Sequence, residues 1–195
     1  RQRQMCIRDS DGTLWSWGQS LLGDNTSSAA RYTPIQIGTV TNWKQVSGGY
    51  STTTAIKNDG TLWVWGFNNN GQLGLNNIVS RSTPVQEFTS STNWKQVFSA
   101  YKNSVAIKTD GTLWGWGYNG GGSLGDNTIS SRSTPRQEFT SSTNWKQVSC
   151  GNNHTAAIKT DGTLWVWGIN AYGEIGDNTS TPRLTPRQGF TSSTN

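Results

Sequence analysis

Two short motifs recur at a nearly constant step along the chain. Asp-Gly-Thr-Leu-Trp begins at Asp11, Asp59, Asp110 and Asp161, and Asn-Trp-Lys-Gln-Val begins at Asn42, Asn93 and Asn144. The steps are 48, 51 and 51 residues for the first motif and 51 twice for the second. All 11 Trp fall in phase: Trp15/Trp17, Trp63/Trp65, Trp114/Trp116 and Trp165/Trp167 in one motif, and Trp43, Trp94 and Trp145 in the other. A period of this length means one supersecondary unit per repeat, each burying its apolar face against the next.

Within one period the local signals are strands and turns. Trp145 to Ser149 is one extended run, residues 155–159 are a second, and Asp161-Gly162 separates that second run from the Leu164–Gly168 strand. Asp-Gly between two such runs is a hairpin signal, since both residues tolerate positive φ. The same reading holds for Asp11-Gly12, Asp59-Gly60 and Asp110-Gly111. A polar loop then leads to a last run containing Pro186, where proline suits an edge strand. Four strands per repeat and no helical periodicity predict an all-β fold of propeller blades, each with four antiparallel strands. Trp63 and Trp65 alternate with Leu62 and Val64, so both faces of the third strand are apolar. Such a sheet needs a neighbour on each side.

Composition agrees with an aromatic core. Only 14% of residues are charged, and the aliphatic shortfall is made up by Trp, each able to bury about 150–250 Å². No run approaches the ~18 apolar residues of a membrane-spanning helix. Two cysteines, Cys6 and Cys150, provide neither a disulfide framework nor a paired metal motif. The net charge of +5 owes +2 to the first nine residues and is otherwise spread evenly, which argues against a nucleic-acid partner.

The run from Gly151 through His154, Thr155, Ala156, Ile158, Asp161-Gly162 and 167–170 to Gly173 and Ile175-Gly176 resembles a repeat of the regulator of chromosome condensation family. The pattern Trp65-Gly66-Phe67-Asn68, then Gly71-Gln72-Leu73-Gly74, is similar to that family's core motif. The resemblance covers about 11–195 and implies part of a seven-bladed β-propeller; the near-identical Trp-rich copies are similar to bacterial and phage members. The family's His appears once, as His154, with Thr52 and Asn103 in its phase. The Gly-Trp-Arg-His-Thr motif of a light-sensing branch has no counterpart, which disfavours light sensing. Blade boundaries are expected at 43–92, 93–143 and 144–195, with a half blade at 11–42. Residues 1–10 read either as an appended segment or as a divergent strand. An open set of blades is expected to self-associate through its apolar end faces.

No constellation for catalysis stands out. His154 lacks an in-phase cluster, and Cys150 takes a small inner-strand position where a buried structural thiol is expected. Asp24, Asp126 and Asp177 start Asx turns rather than calcium loops. The triple glycine at 120–122 has neither helix nor Lys to make a phosphate loop. No cofactor and no metal is expected.

The loops vary while the strands repeat. Tyr50, Tyr101, Lys102 and His154 share one loop phase, and Phe67, Tyr118 and Tyr172 lie in a second loop. Aromatics beside Asn and Ser suit a binding surface. The expected function is a non-catalytic scaffold presenting these loops to a protein partner. A glycan-binding propeller and a fragment of a propeller hydrolase or lyase are the alternatives.

Overall fold

A computed structural model describes residues 5–19, 21–27 and 30–189. All regular structure among them is β. One three-stranded sheet, β1(Met5–Arg8), β2(Leu14–Gly18) and β3(Arg31–Gln36), precedes three four-stranded sheets. These are β4(Trp43–Gly48), β5(Thr52–Lys57), β6(Leu62–Gly66) and β7(Arg81–Gln86); β8(Trp94–Ser99), β9(Asn103–Lys108), β10(Leu113–Gly117) and β11(Arg132–Gln137); and β12(Trp145–Cys150), β13(His154–Lys159), β14(Leu164–Gly168) and β15(Arg183–Gln188). Every sheet is an antiparallel meander in chain order, and the sheets do not close into a ring. The sequence counts two strands in the first blade; the structure has three, because Met5–Arg8 pairs with β2 in the register Ile7 to Trp15.

The hairpin between β5 and β6 differs in detail from the sequence expectation. Only Gly60 takes positive φ, at +80°, while Asp59 uses its side chain. Its Oδ1 accepts from the Thr61 amide at 2.9 Å and the Thr61 hydroxyl at 2.7 Å, and Thr61 Oγ1 accepts from the Trp63 indole at 2.9 Å. The same relay joins Asp110, Thr112 and Trp114, and Asp161, Thr163 and Trp165. That chain of bonds is why Asp, Thr and Trp recur together. A β-carbon on Gly60 would also lie 2.1 Å from the Thr92 carbonyl oxygen, so the turn seats against the start of the next blade.

The core lies between sheets. Leu62 and Val64 of one blade pack with Trp94 and Trp116 of the next, and Leu113 packs with Trp145 and Trp167. Trp94 meets Trp114 edge to face at 6.3 Å, and Lys108 Nζ lies 4.5 Å from the Trp114 ring centre. Glu87 and Glu138, both buried, close each outer turn: Glu87 accepts from Thr89, Ser91 and the Trp94 indole, and Glu138 from Thr140, Ser142 and the Trp145 indole. The first boundary lacks this carboxylate. Ile37 takes its place, and the Trp43 indole nitrogen is buried without a partner.

Trp17 differs from its repeat counterparts in burial. Its counterparts Trp65, Trp116 and Trp167 are fully buried, each inserted against the preceding blade, whereas Trp17 is only half-buried. The physical reason is its place in the array: among the described residues no blade precedes the first sheet, so no neighbour covers the outer face of this ring. The same sequence motif therefore makes a core residue in three copies and a partly solvated one in the first.

Candidate functional site

The pairing of β5 with β6 sets Thr52 opposite Gly66, so the loop entering β5 and the loop leaving β6 emerge at one end of the blade. The Phe67 amide donates to the Ser51 carbonyl at 2.8 Å, and the Tyr118 amide to the Lys102 carbonyl at 2.9 Å. A β-carbon at Gly66 would lie 2.3 Å from the Ser51 carbonyl oxygen, so this close crossing requires glycine there. The two copy-variable loops, whose relation the sequence leaves open, thus form one rim.

On that rim the rings of Tyr50 and Tyr101, from adjacent blades, stand 4.8 Å apart at 65°. Lys102 Nζ lies 5.1 Å from the Tyr101 ring centre and 5.7 Å from that of Tyr118, distances at which a cation is attracted to the ring faces. A groove of about 210 Å³ runs between Tyr50, Phe67, Tyr101 and Lys102, floored by Asn69, Asn70 and Gln72. On the other side of the tyrosine pair lies a hollow of about 380 Å³, bounded by Gly49, Phe98, Ala100, Cys150 and Gly151. Tyr50 and Tyr101 are its shared wall, 36% and 39% exposed.

Four of the seven candidate loop residues, Tyr50, Phe67, Tyr101 and Lys102, therefore line this groove at the boundary between the second and third blades, with Tyr118 outside it beside Lys102. Tyr172 and His154 do not line this groove. Tyr172 is 95% exposed on the last loop, and the His154 ring covers Gly151. Cys150 is buried, donates to the Phe98 carbonyl at 3.8 Å, and burial pushes its thiol pKa up, which opposes thiolate chemistry.

Asp24, Asp126 and Asp177 are in Asx turns, and each also grips an arginine of the outer strand: Arg31, Arg132 and Arg183. The second blade has Leu75 where the others have Asp, and Arg81 Nε is buried with no partner. Sequence reasoning missed these pairs, although the in-phase Asp and Arg were visible in it. Among the described residues no group of three or more His, Cys, Asp or Glu is placed to hold a metal ion, and no helix is long and apolar enough to cross a membrane.

A family profile described as the Regulator of chromosome condensation (RCC1) repeat matches 59–107 and 110–158, and a second profile of the same description matches 43–72 and 145–174. The chain is 32% identical over 180 residues to the ultraviolet-B receptor UVR8 of Arabidopsis thaliana, covering 89% of this chain and 40% of that protein. It is 31% identical over 149 residues to the probable E3 ubiquitin-protein ligase HERC4 of Homo sapiens, covering 75% of this chain and 14% of that one. Among solved structures, Prp20p of Saccharomyces cerevisiae, described with its binding to Gsp1p and histones, superposes with a TM-score of 0.85 at 19% identity. That match covers 98% of this chain and 49% of Prp20p, so the chain spans about half of the solved relative. These relatives are plant, human and yeast proteins and lend nothing to a bacterial or phage source.

Proposed function

Because the chain belongs to the regulator of chromosome condensation (RCC1) repeat family, we propose that it is a non-catalytic propeller scaffold whose aromatic rim binds a protein partner. The observation that carries this reading is the Tyr50–Tyr101 pair with Lys102 above Tyr101 and Tyr118. Large amphipathic rings that lose little entropy on binding, a cation and several amide side chains converge on one concave strip. That is the chemistry of a protein-recognition hot spot. The family supports it, since the described binding of Prp20p is to proteins. Catalysis is less well served, because the inner strands repeat Lys-Gln-Val at 44–46, 95–97 and 146–148 without the asymmetry that a reaction centre requires.

The test is affinity capture on this polypeptide, comparing the unaltered chain with Tyr50→Ala/Tyr101→Ala and screening a glycan array in parallel. A protein partner retained by the first and lost by the second supports the reading. Capture indifferent to both tyrosines, or binding confined to glycans, overturns it.

A further inference from the structure

The opposite rim carries a different chemistry. Lys44, Lys95 and Lys146 occupy the same position of three successive inner strands, six residues before Tyr50, Tyr101 and Asn152 respectively. At about 3.3 Å per residue, that places them roughly 20 Å from the aromatic rim. All three are exposed. Gln45 fixes their register: its amide nitrogen donates to the Val97 carbonyl at 2.8 Å, and its oxygen accepts from the Val97 amide at 3.2 Å. Gln96 makes the accepting half of this contact at the next boundary, taking the Val148 amide at 3.2 Å. Arg8 extends the row, since its exposed side chain donates from Nε to the Trp43 carbonyl at 2.9 Å, next to Lys44.

Among the described residues none of these four cations is held in an ion pair; the ion pairs there are the three Arg–Asp pairs of the outer strands. Carboxylates occur at this rim but are already engaged. Asp59, Asp110 and Asp161 accept from Thr61, Thr112 and Thr163 and feel Lys57, Lys108 and Lys159 of their own hairpins. Glu87 and Glu138 are buried under the outer turns. Asp9 accepts from Thr13 and Trp15, and Asp11 accepts from the Thr13 amide at 2.8 Å.

We propose that this row is a second docking surface, for an extended acidic peptide segment. Positive charges in single file along adjacent edge strands complement carboxylates spaced along an extended chain. Beside the lysine row, the rings of Trp63, Trp114 and Trp165 are capped by Lys57, Lys108 and Lys159, which leaves fewer ring faces for bases to stack on and favours a peptide over a single-stranded nucleic acid. The surface is separate from the aromatic rim and stands or falls without it.

The experiment titrates a dye-labelled oligoglutamate peptide with this polypeptide and reads fluorescence anisotropy at low and high salt. Lys95→Gln/Lys146→Gln is compared with Arg136→Gln/Arg187→Gln, which removes the same charge from exposed positions on the outer strands. The expected result is a loss of about tenfold in affinity for the lysine pair and under about twofold for the arginine pair, both shrinking in high salt. Tyr50→Ala/Tyr101→Ala leaves the peptide affinity unchanged. Equal losses for the two charge pairs mean diffuse attraction and overturn the site. Tighter, lysine-dependent binding of a DNA oligomer of equal charge overturns the choice of an acidic peptide. Both double variants replace exposed residues, and matching melting curves exclude unfolding as the cause of any loss.

Discussion

The indole N–H of Trp116 donates to the backbone carbonyl of Gln72 at 2.9 Å, across the boundary between two blades. Trp167 donates to Ser123 and Trp65 to Leu22 in the same way. Each contact is close enough to demand glycine beside it: a β-carbon on Gly74 would lie 3.0 Å from the Trp116 indole nitrogen, and one on Gly125 2.7 Å from that of Trp167. The Trp-Gly and Gly-x-Leu-Gly parts of the motif are thus two halves of one joint, contributed by neighbouring repeats.

Trp116→Phe separates the bond from the ring. The Gln72 carbonyl keeps the Ser104 hydroxyl at 3.0 Å, so loss of the indole donor is expected to cost about 1 kcal/mol, whereas Trp116→Ala costs about 3–5 kcal/mol. Urea denaturation of both variants checks the difference.

Trp43 and Trp94 occupy equivalent sites with different partners. Trp94 donates to Glu87 at 3.1 Å, while the Trp43 indole nitrogen has no acceptor. Trp94→Phe therefore removes one donor from a buried carboxylate that keeps Thr89 and Ser91, and Trp43→Phe relieves an unsatisfied donor. The first is expected to be the more destabilising by about 1–3 kcal/mol, measured as the difference between their denaturation midpoints at constant slope.

Acid should weaken the outer loop of the last blade. Asp177 is held at about 2 by the Thr179 hydroxyl and by Arg183, below the ordinary aspartate value of about 3.9. A folded-state value below the unfolded one gives stability that is complete above about pH 4 and is lost as pH falls through about 2. Melting temperatures followed from neutral pH to strong acid should fall less steeply for Asp177→Asn than for the unaltered chain.

At the aromatic rim, Tyr50→Ala and Tyr101→Ala remove rings that are more than a third exposed and lie outside the core between blades. Folding stability should change by under about 1 kcal/mol, while affinity for a partner that uses the rim falls by about 2 kcal/mol. Calorimetry of binding beside thermal melts separates the two effects.

The last sheet shows an apolar face. Leu164 is 43% exposed, where its counterparts Leu62 and Leu113 are 0% and 1% exposed against the following blade. Leu164→Lys is expected to reduce self-association of this polypeptide in sedimentation velocity without lowering its melting temperature. Unchanged association would assign the contact to another surface.

Strand content and hairpins were legible in the sequence, because a strand alternates with period two and a tight turn demands Asp and Gly whatever surrounds it. Repetition strengthened that signal four times over. Local rules of this kind also mark Trp63 and Trp65 on one face and Leu62 and Val64 on the other, as the packing bears out. They are silent on contacts between residues about 50 apart. For that reason they treat Trp17 and Trp65 as equals, although burial of the second ring of each pair depends on a neighbouring blade. Only the tertiary structure brings Tyr50 onto Tyr101, joins the Phe67 loop to the Ser51 carbonyl, and leaves Tyr118, Tyr172 and His154 outside the groove. The buried Glu87 and Glu138 escaped sequence reading because a carboxylate ordinarily reads as surface, and their burial depends on amide, hydroxyl and indole donors supplied by the turn and the following strand. The row of Arg8, Lys44, Lys95 and Lys146 was hidden for a related reason. Net charge is a sum over the chain, but a charged surface depends on which charges lack partners, and the folded arrangement alone decides that.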